Sequence, residues 1–295
     1  MSCPNQNSYH VPVLALEVLA GLNLQAGGSY LDCTVGGGGH SALILAHQDT
    51  TVTAIDRDAA AIEFAQTRLQ EFGERVHFWR GNFCEFVPPH RFHGIVADLG
   101  VSSAQLDSPD RGFSFRHTAP LDMRMDQSQA LTAADIVNTY SETALADLIF
   151  TWGEERFSRA IAKGIVQARP LYTTTELAEV ISRSVPPFYR RGRIHCATRT
   201  FQALRLAVNR ELESLHAWLQ VVPDWLEPGG RLVIISFHSL EDRLVKTAYK
   251  NDPRLVMVHK KPIVPTPQEI AQNPRARSAK LRIAERSRLV GNFGL

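Results

Sequence analysis

No apolar run in the 295-residue sequence approaches the roughly 18 residues a membrane span requires, so no membrane segment is expected. The four cysteines, Cys3, Cys33, Cys84 and Cys196, are scattered and form no C-x-x-C pair. That spacing speaks against a zinc site and against a disulfide framework, so no metal is expected. The first residues, Met-Ser-Cys-Pro-Asn-Gln-Asn-Ser, have neither a basic nor an apolar region, and no signal peptide is expected. Repeats and low-complexity stretches are missing too. These absences point to a reduced, cytoplasmic protein. What is present is enough for a core: hydrophobic residues make up 44%, and the length allows one large domain or two of ordinary size.

The net charge of +2 hides an asymmetry. Residues 1–110 carry 5 Lys and Arg against 12 Asp and Glu, residues 111–242 carry 15 of each, and residues 243–295 carry 12 against 3. A basic C-terminal tail on a near-neutral chain points to a polyanionic partner; a solvated tail is the other reading.

The chain is organised around residues 29–46. Tyr30 to Thr34 reads as a short strand and His40 to Ala46 as the opening of a helix, with Gly36, Gly37, Gly38 and Gly39 between them. Adjacent glycines permit positive φ and let a ligand approach the main chain where a Cβ would obstruct it. A glycine turn between a strand and a helix N-terminus is where nucleotide cofactors bind in open α/β sheets. The next strand, Val52 to Asp56, ends in an acid of the kind that binds ribose hydroxyls, while Asp58 can cap the following helix.

Further on, Val11 to Leu22 reads as a leading helix, Ala59 to Phe72 as a helix with Ile62, Ala65, Leu69 and Phe72 on one face, Val76 to Trp79 as a third strand and Gly94 to Asp98 as a fourth. This alternation predicts an α/β fold, a doubly wound, mostly parallel sheet. It stops at Leu99. From about Thr132 to Val221 the chain reads as helical, with segments at 141–150, 154–168 and 174–184, a capping box at Thr173 and Glu176, and a last helix carrying Phe201, Leu204, Val208, Leu212, Leu215 and Leu219 on one face. Leu226 to Gly230 reads as a turn, Arg231 to Phe237 as a buried strand, and 255–259 and 280–284 as two more. The expected domains are therefore 1–110, first part of the α/β domain; 111–222, an inserted all-helical domain that recognises substrate; and 223–295, its second part with the basic tail.

Dinucleotide and methyltransferase folds both begin this way. The strict G-x-G-x-x-G fails at Ser41, but Gly37, Gly39 and Ala42 satisfy the looser G-x-G-x-x-A, which leaves NAD open at this loop. Asp98 opening Asp-Leu-Gly-Val-Ser-Ser, Gly81-Asn82-Phe83 after the third strand, and Pro228-Gly229-Gly230 before an apolar strand favour a methyltransferase by fold analogy.

The strings GGGGHS (36–41), AIDRD (54–58), DLGVSSAQLD (98–107), RGFSF (111–115), PLDMRMD (120–126), GEERFSRAIA (153–162), ATRTFQALR (197–205), ISFHSLEDR (235–243) and NPRARSAKLRIAER (273–286) resemble the RsmH (MraW) family, in the same order from Tyr9 to Arg286. The resemblance implies a class I methyltransferase (Rossmann-like) domain carrying an inserted helical domain. It implies S-adenosyl-L-methionine as cofactor and methylation of N4 of a cytidine in the decoding region of 16S ribosomal RNA within the small ribosomal subunit. It places Gly38, Gly39 and His40 at the methionine end of the cofactor, Asp56 at the ribose, Phe83 near the adenine, and Asp98 and Gln105 in the cofactor set. Catalytic candidates are Asp98, as acceptor of the amine protons, and His238, at the carboxyl end of the fifth strand; a helix-capping role for His238 stays open. Phe113 or Phe115 could stack on a flipped-out base, with core of the insert as the other reading of both. RNA contacts are expected from Arg111, Arg116, Arg124, Arg190, Arg191, Arg193, Arg199 and the tail residues Arg275, Arg277, Lys280, Arg282 and Arg286. A homodimer is compatible with the sequence. A methyltransferase acting on DNA or a small molecule, and a non-enzymatic RNA-binding assembly protein, are the competing readings.

Overall fold

The computed structural model of the chain describes residues 12–288. Cys3, Tyr9, the stretch read for a targeting signal and the expected helix start at Val11 lie outside the described residues. The chain divides into two compact units, one formed by the residues up to Gly100 together with those from Leu212 onward, the other by Val101–Glu211.

In chain order the first unit opens with α1 (Ala15–Leu22), β1 (Ser29–Asp32), α2 (Gly39–Leu45), β2 (Thr51–Asp56), α3 (Ala59–Leu69), β3 (Val76–Arg80) and β4 (Phe92–Asp98). The second unit holds α4 (Ser103–Asp107), α5 (Ala133–Thr139), α6 (Glu142–Gly153), α7 (Ser158–Ala168), α8 (Thr174–Ser184), α9 (Pro187–Arg190) and α10 (Thr198–Asn209). The first unit resumes through α11 (Glu211–Val221), β5 (Leu226–Ser236), α12 (Ser239–Asn251), β6 (Leu255–Met257), α13 (Pro267–Gln272) and β7 (Lys280–Arg286).

The seven strands form one sheet in the order β3-β2-β1-β4-β5-β7-β6. The pairings from β3 through β5 are parallel, and β7 runs antiparallel between β5 and β6. Side chains alternate across the pleat, so both faces must be covered in a sheet of this kind. Tyr30, Val52, Val96, Val233 and Ile235 pack with α1, α2 and α3, whereas Leu31, Ile55, Ile95, Leu232 and Ile234 pack with α11 and α12. Trp218 of α11 is fully buried against that second face.

Three features differ from the sequence reading. The apolar stripe from Phe201 to Leu219 is not one helix: the chain turns at Arg210, in the left-handed region at φ 49°. Phe201, Leu204 and Val208 enter the core of the helical unit, whereas Leu215 and Leu219 enter the sheet's core. One stripe thus serves two cores, and the unit boundary falls at the break. Residues 226–230 are part of β5, absorbed as an irregularity between the Phe92–Leu226 and Gly94–Arg231 pairs. Finally, 280–286 is an interior strand. Lys280 and Arg282 both donate to Asp242 of α12, at 3.0 and 2.7 Å, and Arg286 donates to the carbonyl oxygens of Asp224 and Leu226. Their charges are paired within the unit, with the Lys280 side chain still 41% exposed.

In the helical unit, Thr173 and Glu176 form the expected capping box of α8. Gly112 sits at φ 71°, and a Cβ there would lie 2.3 Å from the carbonyl oxygen of Pro120, so glycine is required. Arg124 forks onto Asp122 at 2.8 Å, and the Asn209 amide bridges the Met123 carbonyl and the Met125 N–H at 2.7 Å each. These bonds fold the 120–126 segment onto α10.

Burial alone would raise the Asp242 carboxyl, but hydrogen bonds from Arg282 and Lys280 outweigh it and hold its pKa below the usual range. Removing the carboxylate leaves the buried Arg282 guanidinium uncompensated. Asp242→Ala is expected to destabilise the protein by about 3 kcal/mol in denaturant titration. An unchanged midpoint would show that the pair is not what holds β7 to α12.

Candidate active site

The parallel register sets the site. Asp32 pairs with Ala54 on one side and Val96 on the other, so Asp56 and Asp98 end their strands two residues further along. Three carboxylates therefore stand at the carboxyl edge of three adjacent strands, where open α/β sheets bind their ligands.

Asp32 is buried. It accepts from the Ser41 hydroxyl at 2.7 Å and from the Thr34 N–H at 3.1 Å. Burial raises its pKa, and the nearby Asp98 charge adds to that, while Ser41, His40 and the Thr34 N–H oppose it. Asp32 is the site residue that sequence reading missed. Its signal was an acid at the end of an otherwise apolar strand, directly before the glycine loop.

The loop itself is tight. Gly38 lies at φ 74° as the N-cap of α2, a conformation that L side chains rarely adopt, and Gly39 opens the helix. Asp56 reaches into the loop: its carboxylate accepts from the Gly36 N–H at 2.9 Å and from the Asp58 N–H at 2.9 Å. Asp58 caps α3 by accepting from the Ala60 N–H. Burial pushes the Asp56 pKa up to about 6, beyond what the two N–H bonds recover.

His40, on the first turn of α2, is buried, and its Nε2 lies 3.6 Å from Asp98 Oδ2. Neither ring nitrogen of His40 nor Oδ1 of Asp98 has a hydrogen-bond partner among the described residues. The Asp98 backbone is fixed by its N–H donating to the Thr34 hydroxyl at 2.6 Å. Buried polar groups are rarely left unpaired, and these stand at the carboxyl edge of the sheet, where a ligand could meet them. The donor and acceptor set suits S-adenosylmethionine. Asp56 can accept from ribose hydroxyls, while His40 and Asp98 offer unmet hydrogen-bonding capacity to its aminoacyl end, and the Asp98 carboxylate could attract its sulfonium charge.

The other expected residues are placed as follows. Phe83 follows β3 and packs edge-on against Trp218, with ring centroids 5.1 Å apart, and Asn82 beside it donates to the Ser214 hydroxyl at 2.8 Å. His238 is the N-cap of α12: Nδ1 accepts from the Glu241 N–H at 3.4 Å, and Nε2 lies 3.1 Å from the buried Glu241 carboxylate. In the second unit, Gln105 is buried and reciprocates a capping box with Ser102 at the start of α4. Arg111 donates to the carbonyls of Arg124 and Met125. Phe113 is in that unit's core, and Phe115 packs on His195 and Phe201 at 4.7 and 4.9 Å. Arg199 donates to the Glu154 carbonyl at 2.7 Å. In the first unit, Arg275 is half-buried and Arg277 exposed. Among the described residues no group of three His, Cys, Asp or Glu side chains is placed to hold a metal ion, and no helix is long and apolar enough to cross a membrane.

A seven-stranded sheet with one antiparallel strand, a glycine turn after β1 and acids ending β1, β2 and β4 define a class I methyltransferase domain. The chain belongs to the MraW methylase family, whose profile matches residues 7–287. It is 59% identical over 286 residues to the ribosomal RNA small subunit methyltransferase H of Rippkaea orientalis (strain PCC 8801 / RF-1), covering 96% of this chain and 94% of the relative. It is 60% identical over 279 residues to the protein of the same name from Cyanothece sp. (strain PCC 7425 / ATCC 29141), covering 94% of each. Among solved structures, an rRNA methylase from Streptococcus thermophilus aligns over 92% of this chain and 93% of its own, with 13% identity and a TM-score of 0.43.

The Asp56 carboxyl gives a pH test. Ribose hydroxyls donate to the ionised form, so binding of S-adenosylhomocysteine is expected to be flat above neutrality and to weaken as pH falls through about 6. Calorimetric titration of Asp56→Asn should show weaker binding at alkaline pH and no such dependence. An identical pH profile in the variant contradicts the assignment.

Proposed function

We propose that the chain transfers the methyl group of S-adenosylmethionine to N4 of a cytidine in the decoding region of 16S ribosomal RNA, acting on the small ribosomal subunit in the cytoplasm. The coarser part, methylation of small-subunit ribosomal RNA, is supported by the names of relatives 59–60% identical over nearly the whole chain. The observation that carries the chemistry is the unpaired His40–Asp98 couple at the carboxyl edge of the sheet.

The bound cofactor supplies an activated methyl group on sulfur. Cytosine N4 is a poor nucleophile because its lone pair is conjugated into the ring. A carboxylate oxygen accepting one of its two protons localises that pair and afterwards takes the proton. Asp98 Oδ1, buried and unpaired, is the acceptor in this proposal. The Thr34 hydroxyl fixes the Asp98 backbone, and His40 stands 3.6 Å from the other carboxylate oxygen. No covalent enzyme intermediate is needed, and positioning supplies much of the acceleration. His238 caps α12 through Nδ1, while its buried Nε2, 3.1 Å from the Glu241 carboxylate, makes no hydrogen bond among the described residues, so it stays a second candidate for contact with the base. A non-enzymatic assembly protein on this fold gains nothing from leaving three buried polar atoms unpaired, which disfavours that reading.

The test is incubation with labelled S-adenosylmethionine and small subunits lacking the modification, followed by digestion and identification of the labelled nucleoside. N4-methylcytidine, or its 2′-O-methylated form, is expected; label on another nucleoside would sink the assignment. In the same assay Asp98→Asn is expected to lower kcat by about 100-fold, the order of loss for a general base. An unchanged kcat would remove Asp98 from the proton path.

A further inference from the structure

The 186–195 segment of the helical unit reads Pro-Pro-Phe-Tyr-Arg-Arg-Gly-Arg-Ile-His, and α9 occupies its first half. Its side chains gather around Arg156. The Arg156 guanidinium lies over three rings, 4.9 Å from the centroid of Phe157, 5.0 Å from Tyr189 and 5.7 Å from Phe188. Phe157 and Tyr189 pack edge to face at 4.8 Å. Tyr189 is anchored from below: its hydroxyl donates at 2.5 Å to Glu155, which is fully buried and also accepts from the Phe157 N–H at 2.9 Å. The cluster is rigid on its inner side.

Its outer side is open. Phe188 is 65% exposed, on a helix too short to need it for folding. Arg156, Arg191 and Arg193 are exposed and carry no ion pair among the described residues. Glu155, buried in the cluster, has its carboxylate oxygens occupied by the Tyr189 hydroxyl and the Phe157 N–H. An aromatic face with unpaired arginines around it is the chemistry that binds unpaired nucleic acid: bases stack on the ring, and guanidinium groups follow the phosphates.

We propose that Phe188, held by the Arg156–Phe157–Tyr189 cluster and flanked by Arg191 and Arg193, is a stacking platform for an unpaired RNA strand. This inference rests on the RNA substrate reading above, and it names a surface that the cofactor chemistry does not need. A protein partner is the competing occupant. Three exposed arginines without an ion pair among the described residues favour a polyanion.

The experiment is fluorescence anisotropy with the full chain and an unstructured single-stranded RNA of about 12 nucleotides, with duplex RNA of equal length as comparison. Phe188→Ala is expected to weaken single-strand binding about tenfold and leave duplex binding unchanged, and Phe188→Trp to retain wild-type affinity. The double variant Arg191→Ser/Arg193→Ser should reduce the slope of log affinity against log salt by about 1.4. Full single-strand affinity in Phe188→Ala, or no single-strand binding by the wild type, overturns the proposal. If Phe188→Ala binds RNA normally but methylates subunits poorly, the platform meets a ribosomal protein and the proposal is likewise overturned. Methylation of subunits by the wild type is read in parallel: its absence counts against the substrate reading, whereas its presence together with normal behaviour of Phe188→Ala counts against the platform alone.

Discussion

Three carboxylates at one sheet edge are the constraint on which the site depends. The parallel register of β1, β2 and β4 fixes Asp32, Asp56 and Asp98 in a row, and no side-chain rotation removes them from one another's field. Burial is the main cause of the raised pKa values of Asp32 and Asp56, with neighbouring acids adding to it. The chain answers with oriented donors: Ser41 and the Thr34 N–H on Asp32, and the Gly36 and Asp58 N–H groups on Asp56. Asp98 alone keeps an unanswered oxygen. An edge built in this way favours a ligand that brings positive charge and hydroxyl donors.

The glycine loop follows from the same arrangement. Asp56 can reach the Gly36 N–H only if the loop bends back over β2, and Asp32 can reach Ser41 only if α2 starts within a few residues of β1. Gly38 at φ 74° makes that reversal. The reversal also delivers His40 to Asp98, so one turn determines the cradle, the helix start and the pair that carries the chemistry. The helical unit serves a different purpose. Residues of its family-like strings are engaged in its own folding, with Arg124 on Asp122, Asn209 on the 123–125 backbone and Gln105 on Ser102.

Local signals were legible where they depend on neighbours in sequence. The strand–glycine–helix turn, the Asp58 cap of α3 and the Thr173 capping box could all be read directly, because each involves residues a few positions apart. Signals that depend on distant partners could not. Asp32 drew no notice inside a strand read as Tyr30 to Thr34, because the sheet is what brings Asp98 beside it. Lys280, Arg282 and Arg286 looked like a basic tail because their partners, Asp242 and Asp224, lie about 40 to 60 residues earlier in the chain. The Phe201–Leu219 stripe kept helical spacing across Arg210 even though its two halves feed separate cores. Phe113 and Phe115 could be read either as stacking rings or as core of the insert; one is core and the other is packed on Phe201.

The most direct measurement is a crystal structure of the chain with S-adenosylhomocysteine bound. The account places the ribose hydroxyls on the Asp56 carboxylate, the glycine loop under the ligand, and its aminoacyl end against His40 and Asp98. A nucleoside bound away from these three carboxylates, or with its ribose turned from Asp56, would contradict it.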